Sequence, residues 1–254
     1  MAGRRLGQHF LIRKSILERI AVAACPEPPA ESAVTVVEIG PGKGALTEHL
    51  LARASRVIAI EVDQVLVHYL QQKFRDHPKL TIVSADVLKV DLAQWGPVTI
   101  AGNLPYYITS PIFERVLSIG TLLQNAVFLV QKEVAARVAA SPGSRDYGYL
   151  TVQTRLMGEP KFLFEVPPAA FHPPPKVNSA VVQLTPRSDV PVPDRLAFLE
   201  FAGICFRHKR KTLRNNLIEN YDKTLIDSLP DIGKRAEQLS LEQFIHLHQR
   251  ILKG

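Results

Sequence analysis

The chain has only two cysteines, one tryptophan and two methionines among its 254 residues, and it has no long run of apolar residues. Cys25 and Cys205 lie far apart and follow no metal-binding spacing, so we expect free thiols in a reducing compartment and no bound metal. The first residues are basic but are not followed by the apolar core of a signal peptide. Because no apolar stretch reaches membrane-spanning length, we expect a cytoplasmic protein without a membrane partner.

Positive charge is in excess but unevenly distributed. The net charge is +7, and two segments hold cations without any acidic residue, namely residues 1–14 and residues 207–214. Such clusters are typical of a polyanion partner, although a solvated helix face is the alternative interpretation. A helical period places four cations of the second cluster on one face. The candidate nucleic-acid contacts are Arg207, Lys209, Arg210, Lys211 and Arg214.

Short β-branched runs alternate with amphipathic stretches through the first two-thirds of the chain, which predicts a parallel sheet covered by helices. The predicted strands are Val34–Ile39, Val57–Glu61, Leu80–Ser84, Val98–Ala101, Ala126–Val130, Lys161–Val166 and Ser179–Leu184. The segment Pro186–Pro193 holds three prolines and is the best domain linker. We therefore predict an α/β domain over residues 1–186 and a small all-helical domain over residues 194–254.

Three successive predicted strands end in residues suited to a nucleoside ligand. The first runs into a glycine-rich turn that contains Gly40 and Gly42, the second ends in Glu61, and the third is followed by Asp86. A carboxylate at the end of the second strand is placed to bind ribose hydroxyls, and one after the third can accept from an adenine amine. Helix capping is the alternative for either acid alone. Together they favour S-adenosylmethionine, which has adenine and ribose but no pyrophosphate.

The fourth predicted strand runs into the turn Asn103-Leu104-Pro105-Tyr106. The carboxyl end of a strand in an open α/β sheet is where ligands bind. The Asn103 side-chain oxygen and the Leu104 main-chain carbonyl are positioned to accept the hydrogens of an exocyclic base amine. Tyr106 is a candidate for stacking on one face of that base, and Phe171 on the other. A buried core position is the alternative for Phe171.

These segments resemble the ribosomal RNA adenine dimethyltransferase family. The resemblance spans residue 4 to about 186 and rests on six motifs, namely Leu6–Leu11, Val37–Thr47, Ile60–Asp63, Asn103–Tyr107, Gln131–Ala135 and Phe171–Val182. The resemblance implies a class I (Rossmann-like) S-adenosylmethionine-dependent methyltransferase sheet followed by a small helical RNA-binding domain. The sequence departs from the family pattern at position 9, where His replaces a common Asn, and at position 178, where Asn replaces a common Asp.

The resemblance also implies roles for single residues. Gln8, His9 and Leu11 would border the cofactor, Gly40 would contact its methionine part, Glu61 its ribose and Asp86 its adenine, with Asn103 serving cofactor and target. The implied function is N6,N6-dimethylation of adenines in small-subunit ribosomal RNA, on two adjacent adenines late in assembly, by a monomer acting on the pre-ribosomal small subunit. Alternatives are a methyltransferase for large-subunit ribosomal RNA of the antibiotic-resistance type, a DNA adenine methyltransferase, and a non-catalytic RNA-binding assembly factor.

Overall fold

The computed structural model describes residues 9–27, 33–105, 108–187 and 190–253. These residues form two compact units. The first unit runs to Ala135 and resumes over Pro160–Pro186, and the second comprises Ala136–Glu159 and the chain after Pro186. No helix among the described residues is long and apolar enough to cross a membrane.

A seven-stranded sheet forms the centre of the first unit. Its strands are β2 (Thr35–Ile39), β3 (Arg56–Glu61), β4 (Leu80–Ser84), β5 (Val98–Asn103), β6 (Leu123–Gln131), β7 (Gly158–Val166) and β9 (Ser179–Pro186). Their spatial order is β4-β3-β2-β5-β6-β9-β7. The strands from β4 to β6 pair in parallel, and β9 runs antiparallel to β6. The prediction of a mainly parallel sheet is confirmed, and each predicted strand exists with bounds shifted by a few residues.

Crossover segments connect the parallel strands, and those after β2, β3 and β5 contain α-helices. The helices of the first unit are α1 (Lys14–Ala24), α2 (Ala45–Leu51), α3 (Gln64–Lys73), α4 (Thr109–Leu117) and the start of α5 (Lys132–Val138). In α1, Ile16, Leu17 and Ile20 lie at helical spacing and are all buried. They pack in one core cluster with apolar residues of the central strands, such as Val36 and Val127.

A two-stranded sheet lies beside the main one. Strand β1 (Phe10–Leu11) pairs antiparallel with β8 (Phe171–His172), with Leu11 opposite Phe171. The Ile12 amide extends the pairing by donating to the Ala170 carbonyl at 2.9 Å. The amino-terminal segment is thereby attached to the segment that precedes the proline run at residues 173–175.

The second unit is helical and has its own core. It contains α6 (Tyr149–Met157), α7 (Arg195–Cys205), α8 (Leu213–Leu217), α9 (Lys223–Asp227) and α10 (Leu241–Ile251). The predicted all-helical character of residues 194–254 is confirmed, but a first domain continuous over 1–186 is corrected. The segment Ala136–Glu159 belongs to the helical unit because Tyr147, Val152 and Leu156 are fully buried in that unit's apolar cluster.

Candidate active site

The order of the strands reverses between β2 and β5, because the chain proceeds outward from β2 to β4 and then returns to the other side of β2. Ligands in open α/β sheets bind outside the carboxyl ends of the strands at such a point. A cavity of about 420 Å³ lies there, and it is lined by the ends of β2, β3, β4 and β5. The register aligns these ends, since Ile39 lies opposite both Ile60 and Gly102.

The cavity brings together most of the predicted site residues. Of the residues proposed for cofactor and target, His9, Leu11, Gly40, Gly42, Glu61, Asp86, Asn103, Leu104 and Pro105 all line it. Gln8 and Tyr106 lie outside the described residues, so their predicted roles stay predictions. Ile108 and Ile112 add an apolar wall beside Pro105.

The glycine turn after β2 is built for close approach. Gly40, Gly42 and Gly44 all have positive φ, at 68°, 58° and 76°. A Cβ atom on Gly42 would lie 3.0 Å from the Phe10 ring, so only glycine leaves room for that ring. The Gly40 amide donates to the Ile60 carbonyl at 3.0 Å. Gly40 can therefore contact a ligand through its carbonyl oxygen or by backbone approach, but not by amide donation.

Glu61 is 5% exposed and its carboxylate holds this edge of the sheet together. One oxygen accepts from the Gly42 amide at 3.1 Å, and the other accepts from the amides of Val62 and Asp63 at 3.0 and 3.1 Å. A carboxylate has about four acceptor sites, so one remains for a ribose hydroxyl. Asp86 accepts from the Leu88 amide through Oδ1 at 3.0 Å, which orients its carboxylate at the end of β4.

Asn103 is oriented by the amino-terminal segment. Its Nδ2 atom donates to the His9 carbonyl at 3.1 Å. Because a carbonyl oxygen only accepts, this bond determines which end of the amide is nitrogen and leaves Oδ1 as an acceptor for a ligand. Among the described residues, no donor engages Asn103 Oδ1 or the Leu104 carbonyl. His9 is in turn held by a 2.8 Å hydrogen bond between its Nδ1 atom and the Pro173 carbonyl.

Phe171 is not part of the cavity. It is 3% exposed, pairs with Leu11 across the β1–β8 sheet and belongs to the hydrophobic core cluster. The stacking role of Phe171 stays a prediction, and the burial of its ring agrees with the alternative of a core position.

Sequence reasoning missed Glu38 as a cavity residue. It lies on β2, is 1% exposed and accepts a 2.6 Å hydrogen bond from Thr47 Oγ1 of α2. Burial raises the pKa of Glu38 to about 8, the Thr47 hydrogen bond opposes the rise, and the neighbouring Glu61 charge adds to it. The sequence signal for Glu38 was a single acidic residue within the apolar run Val36–Ile39.

The basic segment of the second unit is a loop rather than a helix face. Helix α7 ends at Cys205 and α8 begins at Leu213, so the prediction of four cations on one helix face is wrong. The cause is Asn216, 2% exposed, whose Nδ2 donates to the carbonyls of Cys205 and His208 while its Oδ1 accepts from the His208 amide. These bonds bend the chain back on itself where a continuous helix would run straight.

The five candidate cations, four in this loop and Arg214 on α8, differ in their surroundings. Arg207 approaches Glu219 at 3.7 Å, and Arg214 forms a bidentate pair with Asp227. That pair raises the pKa of Arg214 and lowers the pKa of Asp227. Lys209 donates to the Arg145 carbonyl at 2.7 Å. Arg210 and Lys211 are exposed, and no acidic partner for either occurs among the described residues.

Comparison with known proteins decides the family. The sequence profile of the family "Ribosomal RNA adenine dimethylase" matches residues 2–253. The chain belongs to this family. It is therefore an S-adenosylmethionine-dependent methyltransferase of ribosomal RNA adenine, with the Rossmann-like α/β fold expected from the sequence.

Individual relatives agree with this membership. The chain is 40% identical to the ribosomal RNA small subunit methyltransferase A of Saccharophagus degradans, over 97% of this chain and 93% of that protein. It is 43% identical to the protein of the same name from Acidobacterium capsulatum, over 94% and 87%. Among solved structures, a dimethyladenosine transferase from Plasmodium falciparum matches with a TM-score of 0.84 at 27% identity, covering 96% of this chain and 98% of that one.

A second solved structure is named for a different ribosomal RNA. The 23S rRNA methyltransferase ErmE matches with a TM-score of 0.75 at 29% identity, over 95% of this chain and 99% of that one. The fold is thus shared between relatives that are named for different ribosomal subunits.

The cavity fits the cofactor of this family. The carboxylates of Glu61 and Asp86 can accept hydrogen bonds from hydroxyl and amine groups, and the glycine turn allows close approach of a ligand to the backbone. Apolar side chains of Leu17, Ile20 and Leu46 line the same cavity. We infer that Glu61 and Asp86 would hold the adenosine part and that the turn around Gly40 would receive the methionine part.

Proposed function

We propose that the protein methylates N6 of adenines in small-subunit ribosomal RNA, producing N6,N6-dimethyladenosine at two adjacent adenines late in subunit assembly. We further propose that it acts as a monomer in the cytoplasm. Relatives at 40% and 43% identity bear the small-subunit name, which supports this subunit over the large one. The observation that carries the chemistry is the orientation of Asn103 at the cavity edge.

The cavity residues position the target amine for methyl transfer. The bound cofactor supplies an electrophilic methyl group on its sulfonium. The adenine N6 lone pair is delocalised into the ring, so the amine is a poor nucleophile until its hydrogens are held. Asn103 Oδ1 and the Leu104 carbonyl accept these two hydrogens and favour a pyramidal nitrogen. Preorganised acceptors of this kind, together with proximity, contribute several kcal/mol to a barrier reduction.

Dimethylation follows from the same geometry. After one transfer the methylated N6 atom releases one proton to solvent and keeps one hydrogen, which either of the two acceptors can receive. Tyr106 is proposed to stack on the extruded base, an interaction worth about 1–3 kcal/mol that does not depend on methyl count. The site therefore has no built-in reason to stop at the monomethylated base.

The decisive residue test is Asn103→Ala. We expect the single-turnover rate on ribosomal particles to fall by about 100-fold or more, because an acceptor in the transition state is lost. Asn125→Ala is the matched control, since Asn125 also donates to a backbone carbonyl, that of Ala23, but lies outside the cavity. A near-normal rate for Asn103→Ala would refute the proposed role of this residue.

The substrate is tested separately. Unmethylated small-subunit particles, large-subunit particles and free ribosomal RNA are incubated with the protein and labelled cofactor, and products are mapped by mass spectrometry. We expect dimethyladenosine at two adjacent positions of the small-subunit RNA. Methylation confined to large-subunit RNA would favour the second candidate, which the similarity to the 23S rRNA methyltransferase ErmE raises. Monomethyladenosine as the only product would contradict dimethylation.

A further inference from the structure

Two buried carboxyl groups line the cofactor cavity, and they are stabilised very differently. Glu61 accepts three backbone amide hydrogen bonds. Glu38 is 1% exposed and has a single donor, the Thr47 hydroxyl. Its strand neighbours in register are Ala59 and Ala101, both fully buried and without polar side-chain atoms. Glu38 therefore sits in the less polar of the two environments.

Among the described residues, no cation of the cavity lining forms an ion pair with Glu38. Lining groups with charge are His9 before β1, Lys43 in the glycine turn, Glu61 on β3 and Asp86 after β4. Lys43 approaches the Phe10 ring at 4.9 Å. Helices α1 and α4 line the cavity only with apolar side chains. On α2, Glu48 pairs with Lys73 at 2.7 Å. His49 is the remaining ionisable residue of α2 and does not line the cavity.

We propose that Glu38 is a proton-linked counter-charge of the cofactor site, which holds a proton in the free protein and releases it to solvent when the cationic cofactor binds. The proton leaves the Glu38 carboxyl oxygen as the O–H bond breaks, and the carboxylate that remains offsets the positive charge of the ligand. An opposite charge a few ångströms away favours the ionised form of an acid. Thr47 holds the carboxyl in place in both states. The proposal rests on the cofactor site and is independent of which RNA is methylated.

The sign of the pH dependence follows from linkage. Burial raises the pKa of Glu38 to about 8, so the group is mainly protonated at pH 7 in the free protein. Binding that releases a proton becomes tighter as pH rises, by up to tenfold per pH unit, until the free-state pKa is passed. We therefore expect cofactor affinity to increase between pH 6 and pH 8 and then to level off.

Calorimetry with S-adenosylmethionine, in the absence of RNA, measures the proton directly. Titrations at pH 7 in buffers of different ionisation enthalpy give the number of protons released. Glu38→Gln is a neutral isostere of the protonated acid and can still accept from Thr47, so it should bind without the Glu38 proton. We expect the wild type to release more than half a proton beyond Glu38→Gln. The cofactor's own ammonium titrates equally in both proteins, so the difference isolates Glu38.

Glu48→Gln is the matched control, because Glu48 lies on α2 with a side chain 54% exposed and outside the cavity. Its proton count should equal that of the wild type. Identical proton counts for wild type and Glu38→Gln would overturn the proposal.

Should Glu38→Gln fail to fold, carbon-13 NMR of labelled glutamate in the wild type tests the same point. One carboxyl should titrate near pH 8 in the free protein and lose that titration with cofactor, and unchanged titration would refute the inference.

Discussion

At the scale of single residues, the Glu61 carboxylate shows that a predicted ligand residue can also hold the local backbone in place. Glu61 was predicted as a ribose ligand because it ends a strand, and its place at the cavity agrees with that prediction. The structure adds a second task, since its oxygens also anchor the Gly42 amide and two amides of the turn after β3. We expect removal of the Glu61 side chain to weaken ligand binding and to destabilise the turn.

Glu61→Ala should weaken S-adenosylmethionine binding by at least tenfold, about 1.4 kcal/mol, because a ribose acceptor and the anchor of the glycine turn are lost together. Glu61→Gln keeps one acceptor oxygen and should lie between Ala and wild type. Isothermal titration of the cofactor checks both, with Glu48→Ala on the exposed face of α2 as control. Unchanged affinity in Glu61→Ala would remove Glu61 from the ligand set.

At the scale of elements, strands were easier to predict than the segments between helices. A buried parallel strand has a strong signature, a short β-branched run followed by a turn, and Thr35–Ile39 and Leu80–Ser84 match their predicted cores closely. The basic segment after Cys205 has helical spacing, yet it forms a loop. Its conformation depends on the tertiary hydrogen bonds of Asn216, which no local pattern reveals.

The same dependence on tertiary contacts explains which features of the candidate site could be predicted from the sequence. The strand ends could be predicted, because consecutive parallel strands must bring their carboxyl ends to one edge. The pairing of β1 with β8 joins segments about 160 residues apart, so the burial of Phe171 depended on a long-range contact. Glu38 was missed for a related reason, because a charged residue within an apolar run indicates a cavity only after the sheet is assembled.

The contact between β1 and the glycine turn gives an element-scale prediction. Gly42→Ala places a methyl group 3.0 Å from the Phe10 ring on a backbone with φ of 58°, so it adds steric displacement of β1 to backbone strain. Gly120→Ala is the matched control, since Gly120 has φ of 59° and open space around it. Strain alone costs about 1–3 kcal/mol.

We expect both variants to lose thermal stability, but only Gly42→Ala to lose cofactor affinity, by about tenfold or more. Phe10→Leu in the Gly42→Ala background should recover part of the affinity by making room for the methyl group. Differential scanning fluorimetry and cofactor titration measure the two effects. Equal cofactor affinity in the two alanine variants would show that β1 does not shape the cavity.

At the scale of the whole molecule, one of the two acid-free basic segments is residues 207–214 of the helical unit, and ion pairs separate two of its cations from two others. Arg207 and Arg214 already face Glu219 and Asp227, whereas Arg210 and Lys211 are exposed. Exposed ion pairs are weak, but a phosphate must still displace the acid from them. Arg210 and Lys211 are therefore the stronger candidates for phosphate contacts in the proposed RNA-binding surface.

Arg210→Ala combined with Lys211→Ala should leave cofactor affinity unchanged and weaken binding to ribosomal particles. Each lost phosphate contact reduces the slope of log K against log salt by about 0.7–0.9, so the double variant should lose about 1.5 units. Arg56→Ala combined with Arg75→Ala removes the same charge from exposed positions of the first unit and is the control. Filter binding between 50 and 200 mM salt, a range over which about 1.5 units of slope is readily resolved, makes the comparison. A slope equal to that of the control would move the proposed RNA surface to Arg13 and Lys14 at the start of α1, which belong to the other basic cluster, residues 1–14.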